Sequence, residues 1–197
     1  MDGMERLQGG DVSNLKRFGT FPAGLGPVVV GIDPSLTGFA VSLVSVADPS
    51  KQATYVYTSK KRGVERLVDI KNTLHWILED ATVVDVAIEG TVVRSQSASV
   101  LGELSGVIKA YLFETHNLFP LQVPPMSLKK FVTGKGNGVQ KNQILLHVYK
   151  KWNVEFSDDN AADAYSLARF VRGGHTLAYE KEVHTKIDTG KFRDGPV

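Results

Sequence analysis

One short apolar segment, Val28–Ile32, constrains the fold of this 197-residue chain more than any other feature. Four of its five residues are β-branched, and no polar residue alternates with them. This pattern is typical of a strand that is buried on both faces of a sheet. Such a strand needs other elements packed on each side, so the sequence predicts an α/β protein. The segment is followed by Asp33-Pro34-Ser35, where proline interrupts strand pairing and favours a turn.

The other apolar patterns predict an order of strands and helices that is typical of a mixed sheet. We expect further strands at residues 39–46, 53–58, 83–88 and 121–123. Helical spacing of apolar residues predicts helices at residues 63–79, 97–116, 126–132, 140–151 and 157–172. Three strands in a meander, followed by alternating helices and strands, give a mixed five-stranded sheet flanked by helices.

The length of the chain fits one domain with short extensions. Residues 1–26 contain six glycines and little apolar periodicity, which predicts a flexible N-terminal arm. We therefore place the domain at residues 27–173 and assign residues 174–197 to a polar C-terminal tail with a weak pattern.

Composition excludes several classes of protein. The chain has no cysteine, which excludes a disulfide scaffold, cysteine-based zinc sites and a thiol nucleophile. No apolar run reaches the roughly eighteen residues of a membrane-spanning helix, and no apolar segment of a secretory signal is present near the N-terminus. We therefore expect a cytoplasmic protein that does not contact membranes.

Two acidic residues stand at the ends of predicted strands. Asp33 follows the first apolar strand, and Glu89 ends the strand at residues 83–88. Ligands of open α/β sheets bind outside the carboxyl ends of the strands, so adjacent strands would bring both acids into one crevice. A simpler interpretation of Asp33 stays open, because aspartate before Pro-Ser is also typical of a turn.

A third acidic group opens the last predicted helix. Asp163 follows Asp159 by four residues and Asn160 by three, so the three share a helix face. Several carboxylates in one place repel each other unless a cation lies between them, and an oxygen-only set suits Mg²⁺ or Mn²⁺. Ser157, Asp158 and Asp159 are also ordinary N-cap and first-turn residues, so at least one of them is expected to serve only as a cap.

A basic stretch distinguishes the middle of the chain. Between Thr115 and Val154 there is no acidic residue, whereas there are six lysines: Lys129, Lys130, Lys135, Lys141, Lys150 and Lys151. Such a stretch is typical of a surface that binds phosphates. The glycine-rich loop at residues 134–138 lets backbone N–H groups approach an anion. The alternative is a solvated helical face beside a flexible loop.

The motifs that carry these residues occur in a familiar order. The segments Gly31–Gly38, Ala87–Glu89, Val132–Asn137 and Asn160–Ala164 resemble the RuvC-type Holliday-junction resolvases. The resemblance covers about residues 28–172. The resemblance implies an RNase H-like fold, with which the predicted order of elements is compatible. It also implies an endonuclease that resolves four-way DNA junctions, and by extension other branched DNA, by paired symmetric nicks. We expect a phage-encoded or otherwise divergent member, and a phage-encoded one would act in the cytoplasm of a bacterial host.

The resemblance assigns a metal site and a two-metal-ion hydrolysis with two Mg²⁺ or Mn²⁺ ions. Asp33, Glu89 and Asp163 match the acids that bind metal in the family. The fourth position usually holds aspartate or histidine, whereas this chain has Asn160 there. The carboxylate of Asp159, one residue earlier, is the alternative ligand. We accordingly predict catalytic roles for Asp33, Glu89, Asp159 and Asp163.

The resemblance also implies contacts with branched DNA. Lys129 and Lys141 match DNA-contact positions of the family, and the basic stretch adds Lys130 and Lys135. Some members carry an aromatic residue after the second motif, where this chain has Gly90-Thr91-Val92-Val93-Arg94. In those members the aromatic residue wedges into the junction, and Arg94 or the apolar Val92 would do so more weakly here.

A homodimer is the expected assembly, because two symmetric nicks require two identical active sites. The predicted helix at residues 97–116 is a candidate for part of the interface, and packing of the same residues in the core is an equal alternative. Its apolar residues are Val100, Leu101, Leu104, Val107 and Ile108.

Two other functions remain open at this point. An RNase H-like nuclease acting on RNA or RNA–DNA hybrids would need the same acids. A non-catalytic protein that binds branched DNA would keep only the basic surface, and the neutral Asn160 is the feature that leaves this alternative open.

Overall fold

The computed structural model describes residues 14–20, 26–90, 98–187 and 192–193 of the chain. A six-stranded sheet with the order β1-β4-β3-β2-β5-β6 forms its centre. The strands are β1 (Leu15–Phe18), β2 (Val28–Asp33), β3 (Phe39–Ser45), β4 (Gln52–Tyr57), β5 (Val83–Glu89) and β6 (Leu121–Val123). The pairs β1–β4, β4–β3 and β3–β2 are antiparallel, whereas β2–β5 and β5–β6 are parallel. The predicted mixed sheet is confirmed, with one strand more than expected.

Six helices accompany the sheet in the described part of the chain. They are α1 (Gly63–Leu78), α2 (Ala98–His116), α3 (Pro125–Thr133), α4 (Lys141–Trp152), α5 (Asp159–Arg172) and α6 (Ala178–Ile187). The first five are the predicted helices, with ends shifted by one or two residues. None of the helices in the described ranges is both long enough and apolar enough to span a membrane.

The central strand β2 is buried on both faces, as its composition predicts. Val28, Val30 and Ile32 pack in one core cluster with residues of α1 and α2. Val29 points to the other face and packs in a second cluster with residues of α3, α4 and α5. The sheet is therefore covered by α1 and α2 on one side and by α3, α4 and α5 on the other.

Strand β1 lies within the segment that the sequence predicts to be a flexible arm. Its residues pair with β4, so that Leu15 lies opposite Tyr57 and Phe18 opposite Thr54. An edge strand such as β4 offers unpaired backbone groups, and β1 satisfies them. The ring of Phe18 also packs edge-on against Phe156, with 5.6 Å between ring centroids. The prediction of an arm is therefore wrong for residues 15–18.

Helix α6 lies within the predicted polar tail, and the sequence analysis missed it. Val183 and Ile187 are buried in the same cluster as α3 and α5. At its N-terminal end, the Glu180 carboxylate accepts hydrogen bonds from the backbone N–H groups of Thr176 and Leu177, at 3.1 and 3.0 Å. Glu180 thereby ties the two residues before α6 to its first turn, as the glutamate of a capping box does.

Packing in the core explains only part of the apolar face of α2. Leu104 and Ile108 are fully buried in the core, so packing explains these two residues. Val100 is 41% exposed, and Leu101 and Val107 are half-buried. The exposed part of α2 keeps the predicted dimer interface as a hypothesis.

Candidate active site

Asp33 and Glu89 lie at the same edge of the sheet, as the sequence predicts. Asp33 is the last residue of β2 and is only 7% exposed. Glu89 is the last residue of β5, and Ile32 pairs with Ile88 in the parallel ladder between the two strands. Because the carboxyl ends of parallel neighbours meet at one edge, the two acids end adjacent strands side by side.

Gly31 and Ala87, which precede the two acids by two residues, lie on the face of the sheet that α5 covers. A Cβ atom on Gly31 would overlap with the backbone of α5 at Ala164 and Ala168, so the helix lies directly on this residue. Ala87 belongs to the core cluster on the same face of the sheet. Since side chains alternate along a strand, Asp33 and Glu89, each two residues further on, point to the face that α5 covers.

Asn160 lies beside the turn that follows β2. A Cβ atom on Gly38 would overlap with the side-chain amide nitrogen of Asn160. Gly38 therefore leaves space for this amide immediately before β3, within five residues of Asp33. The N-terminal end of α5 is in this way fixed against the turn between β2 and β3.

The acids at the start of α5 divide into a cap and two candidate ligands. The Asp158 carboxylate accepts hydrogen bonds from the backbone N–H groups of Asn160 and Ala161, at 3.0 and 3.3 Å. This confirms that one acid of the group is an N-cap. Asp159 stands in the first turn of the helix, and Asp163 follows one turn later.

Glu89 and Lys129 influence each other electrostatically. Burial raises the pKa of the Glu89 carboxyl above its ordinary value, and the positive charge of Lys129 acts in the opposite direction. Lys129 stands on α3, which begins just after β6, and Glu89 pairs with Val123 of that strand. The structure therefore brings this predicted DNA-contact residue to the acidic site.

The donor atoms fit a divalent cation in chemistry, although no ready-made cluster is formed. The candidate ligands offer only carboxylate and amide oxygens, which is the preference of Mg²⁺ and Mn²⁺. Across residues 14–20, 26–90, 98–187 and 192–193, no three histidine or acidic side chains are grouped closely enough to hold a metal ion. The set of ligands thus stays a prediction.

The predicted basic residues have different surroundings. Lys135 is exposed in the glycine-rich loop, whereas the Lys130 ammonium lies 2.7 Å from the Glu182 carboxylate of α6. Lys151 is largely buried, forms an ion pair of 2.5 Å with Glu180, and donates a hydrogen bond to the Phe131 carbonyl. Lys151 therefore holds α6 in place. Arg94 lies outside the described residues, as does the side chain of Lys141.

A separate cavity of about 300 Å³ lies away from the acids. Its walls include Lys151, Trp152, Arg169, His175 and Glu180. Arg169 follows Asp159 by ten residues of α5, which places it about 15 Å along the helix axis. The charged groups in this cavity neutralise one another in part, and of the predicted basic stretch only Lys151 is among the wall residues named here.

Sequence reasoning missed Glu180 and Glu182 of α6, which form ion pairs with Lys151 and Lys130. Tyr179, Val183 and Ile187 recur every four residues, and this spacing is the pattern that could have predicted α6. The ion pairs themselves join residues 52 positions apart in one case, so no local pattern indicates them.

The order of the strands and the helices on both faces of the sheet agree with the predicted RNase H-like fold. A model of one family, described as "Crossover junction endodeoxyribonuclease RuvC", matches residues 29–170. The chain therefore belongs to the RuvC family of crossover junction endodeoxyribonucleases.

Two solved structures share this fold. The RuvC structure of Thermus thermophilus is 22% identical and superposes with a TM-score of 0.60, over 82% of this chain and 97% of that one. Thermus thermophilus RuvC in complex with a Holliday junction substrate gives a TM-score of 0.61 at 22% identity, over 82% and 96% of the two chains. These matches confirm the predicted RNase H-like architecture.

Proposed function

We propose that this chain resolves four-way DNA junctions by divalent-metal-dependent hydrolysis at the acids of β2, β5 and α5. One observation carries the proposal: Asp33 and Glu89 end adjacent parallel strands on the face that α5 covers. The family to which the chain belongs supports an endonuclease of crossover junctions. Metal dependence, individual ligands and a dimeric assembly are the finer parts of the proposal.

The acids of β2, β5 and α5 would together bind Mg²⁺ or Mn²⁺. Asp33, Glu89 and Asp163 are the proposed ligands, and Asp159 or Asn160 completes the set. When bound, two such ions polarise the scissile phosphate and make a water molecule nucleophilic near neutral pH. Asp33 suits the central position because it ends the middle strand and is almost fully buried.

The surrounding residues restrict the motion of the proposed ligands. The cap formed by Asp158 fixes the first turn of α5, and the missing side chain of Gly31 allows this helix to lie on β2. Asn160 is held against Gly38. Rigid placement of this kind lowers the cost of organising the site when substrate binds.

Lys129 is the proposed contact to a phosphate near the site of cleavage. Its charge already reaches the Glu89 carboxylate, so the same ammonium group is placed to attract the backbone of a bound strand. Lys130, Lys135, Lys141 and Arg94 would extend this contact along the arms of the junction. Such contacts recognise shape rather than sequence.

A substrate panel tests the proposal. Wild-type protein with Mg²⁺ is incubated with a synthetic four-way junction, a linear duplex of the same sequence and an RNA–DNA hybrid. We expect paired, symmetric nicks in the junction and at least about tenfold slower cleavage of the other two, which corresponds to about 1.4 kcal/mol of discrimination.

Other outcomes of the panel distinguish the alternatives. Preferred cleavage of the hybrid would show a nuclease of the RNase H type. Tight binding of the junction without cleavage in Mg²⁺ or Mn²⁺ would show a non-catalytic DNA-binding protein. Either result would overturn the proposal.

A further inference from the structure

An acidic residue of α6 is paired with Lys130, one of the predicted DNA-contact residues. The Lys130 ammonium donates a hydrogen bond to the Glu182 carboxylate at 2.7 Å. The lysine is 36% exposed and the glutamate 65% exposed, so the pair lies at the surface and is accessible to a competitor. The hydrogen bond from Lys130, together with its positive charge, lowers the pKa of the Glu182 carboxyl, which keeps it ionised.

The position of Glu182 follows from the packing of its helix. Val183 is buried next to it, and Ile187 is buried one turn later. At the start of the helix, Glu180 forms its ion pair with the largely buried Lys151. Because α6 is held at both ends, Glu182 is presented to Lys130 by the fold.

Lys130 directly follows the lysine that reaches the acidic site. Lys129 interacts with Glu89, and α3 carries both lysines. The segment from Thr115 to Val154 contains no acid of its own. Two ion pairs join lysines of this segment to Glu180 and Glu182 of α6.

We infer that Glu182 acts as an intramolecular competitor of DNA for Lys130 and thereby lowers the affinity of the enzyme for DNA phosphates. The inference rests on the proposed function, since it treats Lys130 as part of the DNA-binding surface. DNA must displace the Glu182 carboxylate before a phosphate can bind the ammonium group. Glu182 is in this sense a residue that sets DNA affinity, and it takes no part in the chemistry.

The expected size of the effect follows from the exposure of the pair. Surface ion pairs of this kind are weak, so removing the competitor should strengthen binding by about 1.5- to 5-fold at low salt. Salt screens the contact between Lys130 and Glu182, so the gain should decrease as the salt concentration rises.

Binding of a fluorescently labelled four-way junction, measured by anisotropy without divalent metal, tests the inference. The variants are Glu182→Gln, Lys130→Gln and the double variant. Glu65→Gln is the matched control, because it removes the same charge from an exposed position on α1. We expect tighter binding for Glu182→Gln, unchanged binding for Glu65→Gln, and equal affinities for the double variant and Lys130→Gln.

Equal affinities of Glu182→Gln and the wild type would overturn the inference. So would a gain of the same size in the Lys130→Gln background, or an equal gain for Glu65→Gln, because either would indicate a general charge effect. Since no metal is present, the measurement is independent of cleavage. A wild-type protein that binds the junction but never cleaves it would contradict the proposed function alone.

Discussion

Gly31 controls how closely α5 approaches the central strand. A methyl group at this position would overlap with the Ala164 carbonyl oxygen and the Ala168 backbone nitrogen. These are backbone atoms of a helix, so they cannot move aside as the end of a flexible side chain can. The same helix carries Asp159 and Asp163, so the position of both acids depends on the absence of a side chain at Gly31.

We predict that Gly31→Ala lowers the free energy of unfolding by about 3 kcal/mol, because overpacking against backbone requires α5 to shift. Urea denaturation measures this loss. Gly102→Ala is the matched control: nothing lies within 4 Å of a Cβ at Gly102, which is on α2. Alanine favours a helix there, so the control should be unchanged or slightly more stable. Equal stability of the two variants would contradict the close approach.

The cap of α5 gives a second prediction for a single residue. Asp158→Ala removes the acceptor of two backbone N–H groups and should lower the free energy of unfolding by about 1 kcal/mol. Asp158→Asn should restore most of this loss, because asparagine caps helices about as well as aspartate. Thermal unfolding of the three proteins measures the differences. An equal loss in both variants would show that the charge of Asp158 matters more than its hydrogen bonds.

The acids of the sheet could be predicted from the sequence because each one ends an apolar run. The pattern of β2 indicates a buried strand, and Asp33 and Glu89 mark where two such strands stop. The fourth metal ligand could not be assigned in this way, since Asp159 and Asn160 are consecutive residues on the same helix turn. The ion pairs of Lys130 and Lys151 could not be predicted either, because they depend on how α6 packs.

At the scale of elements, α6 is held by a histidine pair as well as by ion pairs. The rings of His175 and His184 lie with centroids 4.7 Å apart, and His175 also packs edge-on against Phe131 at 5.0 Å. The Nε2 atom of His175 lies 3.0 Å from the Phe170 carbonyl oxygen. A neutral ring with its proton on Nε2 donates this hydrogen bond.

Because of this histidine pair, we predict that the free energy of unfolding decreases in mild acid. Burial lowers the pKa of His175, and His184 and Lys151 lower it further, whereas Glu180 and the Phe170 carbonyl raise it. The folded protein therefore takes up a proton less readily than the unfolded chain, whose ordinary value is 6.5. The contribution of His175 is complete above this pH and is lost as the pH falls through the lowered value.

Urea denaturation at pH 7.5 and 5.5 measures this effect. We expect the urea concentration at the unfolding midpoint of the wild type to be lower at pH 5.5 than at pH 7.5. The decrease should be smaller in His175→Gln, whose amide can still donate to the Phe170 carbonyl. A decrease of the same size in both proteins would assign the pH dependence to other groups.

Two elements, β1 and α6, were missed for different physical reasons. Strand β1 has only four residues, and it forms because β4 offers an unpaired edge, which is a property of another part of the chain. Helix α6 has a short apolar stripe among many polar residues, so its weak pattern resembles that of a tail. The other elements have apolar patterns of their own, and these predict most of their ends to within one or two residues.

At the scale of the whole molecule, the proposed paired nicks call for a dimer, because one site cannot make two symmetric nicks at once. The exposed part of α2 is the proposed contact. Val100 is 41% exposed, so a charge at this position should leave the fold intact.

We predict that Val100→Asp shifts the protein from dimer towards monomer and replaces paired nicks by independent single nicks. Analytical ultracentrifugation and a cleavage assay on a cruciform plasmid measure the two effects. Val64→Asp is the control, because Val64 is more exposed and lies on α1. A Val100→Asp protein that stays dimeric would exclude this part of α2 from the interface.

The central claim is that the acids at the ends of β2 and β5, with those of α5, carry out hydrolysis of the junction. The most direct test compares cleavage of a four-way junction in Mg²⁺ by the wild type, Asp33→Asn and Asp158→Asn. We predict that Asp33→Asn binds the junction but cleaves it at least about 100-fold more slowly, a loss of about 2.7 kcal/mol in transition-state stabilisation. Asp158→Asn, which keeps the cap, should cleave at nearly the wild-type rate. Cleavage by Asp33→Asn at the wild-type rate would contradict the account.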